Sequence, residues 1–598
     1  MRHAPADEYR ARLSARRETH ARLSQVDERF SYARLAVFAI AVLLAVGAWR
    51  GWMAPWWIAL PVVTFLVLIV RHDAIIRRRD AAARAITFYD RGLARIEDRW
   101  AGGGEQGERF RNPDHLYAND LDLFGAGSLF ELLSIARTRA GEDTLAGWLL
   151  APAEAGEIRA RQQATDDLTP RLDLREALSL AGSDVRAAVH TEALVAWAEA
   201  PPLLGSRWLR PVAIALTIAA VTTAALWRYT GNSAPFVAVL VAEIMFSWPL
   251  REKVLKALHG ADGAARDLDV LAVVLAQLEG ETFAAGRLQS LRGRLTGGPR
   301  FIHRLHWFVE LHEWQHNAVF AALAAPLLWG THLALAIEAW RRAHGRHVGE
   351  WLNISGEFEA LASLSAYRYE HPEDPFPEIE EGAGRRALLD GDVLGHPLLP
   401  AARMIRNGVH LANAEGSAPQ LLVVSGSNMS GKSTLLRTVG INAVLAFAGA
   451  PVRAGRLRLS PMRIGATLRI QDSLQEGRSR FYAEISRIRE LADLAAGPTP
   501  LLFLLDELLH GTNSHDRAVG AAGILKVLVD RGAIGLITTH DLALTEVAAT
   551  LGARAANVHF DDRFEAGEIV FDYVMKPGPV TRSNAIALMR AVGLDVRE

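Results

Sequence analysis

Gly426-Ser-Asn-Met-Ser-Gly431-Lys432-Ser433-Thr434 sets two glycines, a lysine and several hydroxyls into one short stretch. Its spacing is G-x-x-x-x-G-K-[ST]. The apolar run Leu421–Val424 precedes it and helical spacing begins near Leu435. A strand, loop and helix in that order turn backbone N–H groups inward around a phosphate. The helix then points its positive end at the same anion. Lys432 is placed to reach the outer phosphates and the Ser433 hydroxyl to ligate Mg²⁺. Gly426, Ser427, Asn428, Met429, Ser430, Gly431 and Thr434 complete the cradle. A second apolar run, Leu501–Leu505, ends in two acids, Asp506 and Glu507. Ligands of open α/β sheets bind beyond the carboxyl ends of the strands. Asp506 is therefore expected to hold Mg²⁺ through water, and Glu507 to polarise an attacking water as general base. The expected reaction is hydrolysis of ATP with Mg²⁺.

A third run, Ile534–Thr538, ends at Thr539-His540-Asp541. The adjacent Asp-Glu pair resembles the ABC-type division of P-loop ATPases, unlike GTPases or kinases. In that division a His beyond the next strand contacts the γ-phosphate, which makes His540 the candidate sensor. Capping of the following helix by Thr539 or Asp541 is the plainer use of the same segment.

Positioning these groups requires an α/β domain. Short apolar runs alternate with helical segments over 391–598, the pattern of a largely parallel sheet. Upstream, 85–205 and 251–371 read as helical, with apolar residues at helical spacing in Leu268–Glu279 and Phe301–His316. The Gly/Pro/Glu-rich stretch 372–390 reads as a linker. At about 150 residues per domain, 598 residues allow roughly three or four domains.

Half the residues are hydrophobic, and mean hydropathy is +0.09. The excess is concentrated in two pairs of apolar runs. After a charged segment, 1–34, come Leu35–Trp49 and Gly51–Val70, parted by Arg50. The second run is about long enough to cross ~30 Å of hydrocarbon. Trp49, Trp52, Trp56 and Trp57 sit at the turn, and arginines flank both ends. That pattern predicts a transmembrane hairpin over 35–71 with both ends cytoplasmic; a helical hairpin buried in a soluble core has the same composition. A second pair, Pro211–Trp227 and Ala234–Leu250, predicts another hairpin over 207–250, although Glu243 interrupts it at a cost of a few kcal/mol. Val319–Ala339 carries Pro326, His332 and Glu338 and reads as a soluble core helix pair. The expected location is the inner or plasma membrane, with the 391–598 domain cytoplasmic. No secretory leader is expected in the Arg-rich first thirty residues. The absence of cysteine excludes disulfides, thiolate catalysis and Cys-based metal sites. A net charge of −1 provides no global field for nucleic acid or anionic lipid.

Asp472-Ser-Leu-Gln-Glu-Gly-Arg-Ser479-Arg-Phe481-Tyr-Ala-Glu484 occupies the place of an ABC transporter's L-S-G-G-Q signature and does not match it. It resembles the S-x-x-x-G-x-S-x-F-x-x-E segment of the MutS family of mismatch-repair ATPases. Ser425-Gly-Ser-Asn428-Met429-Ser-Gly-Lys-Ser-Thr is similar to that family's T-G-P-N-M-x-G-K-S-T. Asp506-Glu-Leu-Leu-His-Gly511-Thr512-Asn513-Ser-His-Asp516 is similar to its D-E-x-x-x-G-T-x-x-x-D. Thr538-Thr539-His540, Phe571-Asp-Tyr573 to Gly578, and Gly395-His396-Pro397 also match. So do Leu121–Phe124, Ser128–Phe130 and Arg161-Gln162 further upstream. The resemblance covers roughly 112–598 and is thin between 170 and 390. It implies a C-terminal α/β ABC-type P-loop ATPase domain joined to a mostly α-helical MutS-like core, with the hydrophobic hairpins inserted. It further implies a homodimer with composite sites, in which Ser479, Phe481, Glu484, Gly511, Thr512 and Asn513 serve the partner. Asn407 takes the place of the family's nucleotide-side Asn.

The chain departs from the family at several points. No mismatch-reading wedge domain fits the first 110 or so residues, and no nuclease segment is expected after Leu594. Gly408 replaces an acidic residue and Ser427 a proline. Lys253, Lys256, Arg287, Arg292, Arg294 and Arg304 form a loosely basic stretch, suited to a solvated face, a membrane flank or a phosphate track. Two readings follow. One is a membrane-anchored MutS-like ATPase that couples turnover to DNA or to a DNA-bound partner. The other is a membrane-anchored ATP-driven conformational machine with no direct nucleic acid role.

Overall fold

In the computed structural model the apolar runs that lead into the motifs become adjacent strands. It describes residues 4–180, 191–295, 297–314, 320, 324–381, 385–414, 418–427, 429–468, 480–509, 514–565 and 568–580. The strands are β1 (Glu378–Ile379), β2 (Leu388–Leu394), β3 (Asn407–Ala412), β4 (Leu421–Ser425), β5 (Arg456–Leu459), β6 (Arg463–Thr467), β7 (Leu501–Asp506), β8 (Ile534–Thr539), β9 (Ala555–Glu565) and β10 (Glu568–Pro577). One sheet has the order β10-β9-β4-β8-β7-β6, parallel except for the β9–β10 pair. The other has the order β1-β5-β2-β3. The chain is mixed α/β and mostly helical.

β4, β7 and β8 bury nearly all of their residues. Such continuous apolar runs are what a sheet covered on both faces demands. Leu421, Leu501, Phe503 and Ile537 pack with Leu491, Leu525 and Leu544 from the neighbouring helices. The Lys432–Ala448 helix lies close against the sheet: a Cβ at Gly440 would meet Leu504 at 2.7 Å and Leu121 at 2.6 Å.

The described chain divides into two compact units. The first comprises 1–134, 146–171 and 363–598 and holds both sheets and the N-terminal helices. The expected polar segment 1–34 and first apolar run are one helix, Pro5–Trp49. Its partner begins at Ala59 rather than near Gly51, because Gly51 adopts a φ of +72° and Pro55 opens a short 3₁₀ turn. The two helices meet through Phe38 and Phe65, and through Arg34, which bonds His72 at 2.9 Å. At the polar end the Tyr9 ring lies over Gly92, where a Cβ would sit 2.4 Å from it. Buried there, Arg95 forms a two-pronged pair with Glu370, at 2.5 and 2.6 Å, and Tyr9 donates to the same carboxylate at 3.2 Å. Beyond Glu370, Arg453 binds Asp374 at 3.1 Å, and its backbone N–H donates to Asn442 on the Lys432–Ala448 helix at 2.8 Å. Within the stretch expected as linker, β1 pairs with β5.

The second unit comprises 135–145 and 172–362 and is helical. Buried Glu359 accepts from the Arg137 and Thr138 backbone N–H groups, and burial pushes its carboxyl up to about 7. Glu338, expected to interrupt an apolar stretch, lies inside the Trp329–Glu370 helix; it is buried, pairs with Arg341 and accepts from Leu203 N–H at 2.9 Å. Four helices, spanning Pro5–Trp49, Pro55–Ile96, Leu209–Thr230 and Ala234–Gly280, are long and apolar enough to cross a membrane. Little of their most apolar stretches is buried: Leu43 is 70% exposed and Trp49 86%.

Replacing Arg95 with Met strands the Glu370 carboxylate in an apolar setting. This is expected to destabilise the first unit by about 3 kcal/mol, read as a lower thermal midpoint of the detergent-purified protein. An unchanged midpoint would show that the pair does not hold the helices in place.

Candidate functional site

β8 lies between β4 and β7, and all three run parallel. The register sets Ser425 opposite Thr539, and Asp506 opposite Thr538. The glycine-rich loop, the acid pair and His540 therefore leave the sheet at the same end.

The loop takes its path from residues with positive φ: Gly426 at +149°, Met429 at +70° and Gly431 at +102°. A Cβ at Gly426 would crowd the Phe560 carbonyl at 3.0 Å, so the close passage requires glycine. Lys432 is buried, and its Nζ donates to the Gly426 and Ser427 carbonyls at 2.8 Å each. Burial lowers the Lys432 pKa, while the charges of Glu507 and Asp506 act to raise it. That opposition places both acids within electrostatic reach of the ammonium. The buried hydroxyls of Ser427 and Ser430 have no hydrogen-bond partner. A lysine with orphan donors beside it fits an anion with several acceptor oxygens.

Thr538 organises the acid pair. Its hydroxyl donates to the Asp506 carboxylate and accepts from the Glu507 backbone N–H at 3.1 Å. Glu507 is held at a φ of +48° and Leu509 at +58°, strained values that require surrounding support. Leu509 N–H finds it in Glu484 Oε1 at 2.5 Å. The Glu507 carboxylate lies 3.3 Å from His540 Nδ1. Asp541 caps the Leu542–Leu551 helix through Ala543 N–H, the plainer of the two uses weighed for this segment.

Asn407 spans from β3 to β10, donating to the Tyr573 carbonyl at 3.1 Å and accepting from Met575 N–H at 2.8 Å. There β10 is irregular and Tyr573 adopts a φ of +54°. The Tyr573 ring comes within 3.0 Å of a Cβ placed on Gly431. Beside the loop is a cavity of about 430 Å³, lined by Ile405, Asn407, Gly431, Thr434, Phe560 and Tyr573. Among the described residues no group of three or more His, Asp or Glu could hold a metal. Mg²⁺ asks for less, usually one or two carboxylates together with phosphate oxygens and water. The Ser433 hydroxyl and the Asp506 carboxylate suit that donor set.

Asn428, Ser479, Gly511, Thr512 and Asn513 lie outside the described residues. Phe481 and Glu484, expected to serve a partner's site, are placed as follows within their own chain. Glu484 is buried and supports the loop of its own chain, and Phe481 packs against the apolar core. Ile405, Tyr573 and the bridging role of Thr538 were not singled out from sequence; a hydroxyl at the last inward position of a strand beside an acid pair was the only local signal.

Together these features define a glycine-rich strand–loop–helix paired with strand-end acids on a mostly parallel sheet. The MutS domain V family model matches residues 422–596. A DNA mismatch repair protein MutS 2 of Haloarcula marismortui is 34% identical over 259 residues, which cover 41% of this chain and 26% of that protein. An Endonuclease MutS2 of Thermus thermophilus is 35% identical over 201 residues, 33% of this chain and 25% of its own. A DNA mismatch repair protein MutS of Lactobacillus delbrueckii subsp. bulgaricus is 33% identical over 268 residues, 42% and 29%. The chain spans about a quarter of the length of these curated relatives. Its C-terminal part, residues 422–596, matches MutS domain V, and the similarity to these MutS and MutS2 proteins covers at most 42% of the chain.

Thr538→Val removes the hydroxyl shared by the acid pair. ATP hydrolysis is expected to fall by about tenfold or more, ~1.4 kcal/mol or above, with little change in nucleotide affinity. A steady-state ATPase assay with fluorescent-nucleotide titration checks this; unchanged turnover would remove Thr538 from the site.

Proposed function

We propose that this chain is an ATP-binding and ATP-hydrolysing MutS-type protein that works as a dimer and couples turnover to DNA or a DNA-bound partner. The observation that carries the ATPase reading is the strand register that brings the Lys432 loop and the Asp506–Glu507 pair to one end of the sheet, beside orphaned hydroxyls in a glycine-rich loop. Bound ATP and Mg²⁺ supply the phosphoanhydride to be cleaved and a charge that steadies its oxygens. Lys432 exchanges its carbonyl partners for the outer phosphates. Ser433 and Asp506 hold the metal, Asp506 through water. Glu507 takes a proton from the attacking water, with His540 orienting that carboxylate and reading the γ-phosphate. The cavity beside Gly431 suits a nucleotide's base, with Ile405 and Tyr573 as apolar walls and Asn407 holding β10 in place. Ser479 and Gly511–Asn513 are the segments proposed to serve the partner's site.

The DNA role rests on the names of the relatives, two of them DNA mismatch repair proteins and one an endonuclease. A second reading is favoured by a specific observation: four long apolar helices with little of their apolar surface covered. On that reading the chain is an ATP-driven conformational machine, anchored in the inner or plasma membrane by two hairpins, with a cytoplasmic ATPase domain and no direct nucleic acid role. Exposed apolar surface costs ~25 cal/mol per Å² in water, which supports insertion under either reading.

Lys432→Ala should abolish nucleotide binding, and Glu507→Gln should bind ATP but hydrolyse it at least about a hundredfold more slowly. Normal turnover in either variant rejects the site. Binding of the purified protein to duplex, mismatched and branched DNA across a salt series, with ATPase rate in parallel, separates the two readings. Binding that weakens with salt and stimulates turnover supports the DNA role; no binding at low salt and no ATPase response leaves the membrane machine. Carbonate-washed membranes should retain the protein in the pellet, and its release would refute insertion.

A further inference from the structure

In the second unit, Glu243 lies in the Ala234–Ser247 helix. It is 3% exposed, and its Oε1 has no hydrogen-bond partner. The side chain lines a cavity of about 940 Å³ together with Phe236, Trp248, Arg251, Trp329 and Thr331. Phe236, Glu243 and Arg251 recur at helical spacing, so the acid and the aromatic ring belong to one face. Arg251 is exposed and lies beyond the 3₁₀ turn Trp248–Leu250, and Glu243 Oε1 takes no hydrogen bond from it. Glu243 and Arg251 are the charged groups lining the cavity. The Trp329 indole N–H is committed to the Leu311 carbonyl at 2.8 Å, so that indole offers the cavity no donor.

An unpaired carboxylate is costly to bury, and a cationic occupant offsets that cost. A hydrated metal ion fits poorly, since one carboxylate among mostly apolar walls gives it too few oxygens. A cation carried on hydrocarbon fits better: its charge meets Glu243, its bulk fills the apolar volume, and aromatic faces attract it further. We propose that this cavity binds a lipophilic organic cation, of quaternary ammonium or phosphonium type, with its charge against Glu243 and its hydrocarbon against Phe236, Trp248 and Trp329. All the residues that line it belong to the second unit, and binding to it can be measured in detergent without a bilayer.

The probe is tetraphenylphosphonium, with tetraphenylborate as a control of the same shape and opposite charge. Equilibrium dialysis against the purified full chain in non-ionic detergent should show saturable binding of one phosphonium per chain and no saturable binding of the borate. Glu243→Gln should weaken phosphonium binding by about tenfold or more, and Glu243→Asp should retain part of it. Trp248 is largely exposed, so Trp248→Leu tests the aromatic wall with little risk to folding; a weakening of severalfold is expected. ATPase rate and gel-filtration profile report that each variant is folded, and Lys432→Ala should bind the phosphonium normally. Equal binding of both ions, wild-type affinity in a folded Glu243→Gln, or no saturable binding to the folded wild type would overturn the assignment.

Discussion

The register of three parallel strands is the constraint on which the candidate site depends. Neighbouring strands lie about 4.8 Å apart, so with β8 between them the ends of β4 and β7 are separated by ~10 Å, a gap that a triphosphate with its metal can bridge. A slip of one residue would turn Thr538 away from Asp506 and send every inward side chain of β8 to the opposite face. The pairs Ser425–Thr539 and Asp506–Thr538 exclude that slip. Burial on both faces of the sheet fixes the register, so the apolar content of β4, β7 and β8 is as much a part of the site as its charged residues.

Within that frame the loop is arranged around a charge it must satisfy. Burial lowers the Lys432 pKa and the charges of Glu507 and Asp506 offset part of that, while two backbone carbonyls accept from its Nζ. Each neutral hydrogen bond is worth roughly 1 kcal/mol net, and bonds to charged oxygens about twice that. On the proposed function, phosphate oxygens would outcompete the Gly426 and Ser427 carbonyls, and the unpaired Ser427 and Ser430 hydroxyls would gain partners on the same occasion. Glu507 stands at a strained φ for a related reason: bonds from Thr538 and the Glu484-braced turn hold it there.

How much of this could be read from sequence depended on how local the signal was. Lys432, Asp506, Glu507 and His540 announce themselves because each motif ends an apolar run, and ends of parallel strands gather on one side. Asn407 was legible only by resemblance, since its partners Tyr573 and Met575 lie on a strand more than 160 residues away. Tyr573 was legible only as part of a family-like segment and Ile405 not at all, because packing beside the loop depends on where two distant strands arrive. The bond from Leu509 N–H to Glu484 was not legible, as a motif residue says nothing of whether its side chain turns into its own core. Glu338 looked like a break in an apolar stretch; an arginine three residues on lets it be buried within one helix.

The N-terminal helices change character along their length. Toward Trp49 their large apolar residues face outward, the arrangement expected where the surroundings are hydrocarbon. Toward Tyr9 and Arg95 the order reverses, and charged groups are buried with partners on Glu370. A buried ion pair is weak evidence for added stability, since an apolar replacement of similar shape often does as well. What the pair supplies is direction. A guanidinium meeting a carboxylate at two points accepts few orientations, so the polar end of the hairpin has one way to dock on the residues that lead through Asp374 and Arg453 to Asn442. Asn442 sits on the helix that Lys432 begins. An apolar contact of equal area would permit rotation about the helix axis. The polar one ties the orientation of the hairpin to the helix that closes the phosphate loop.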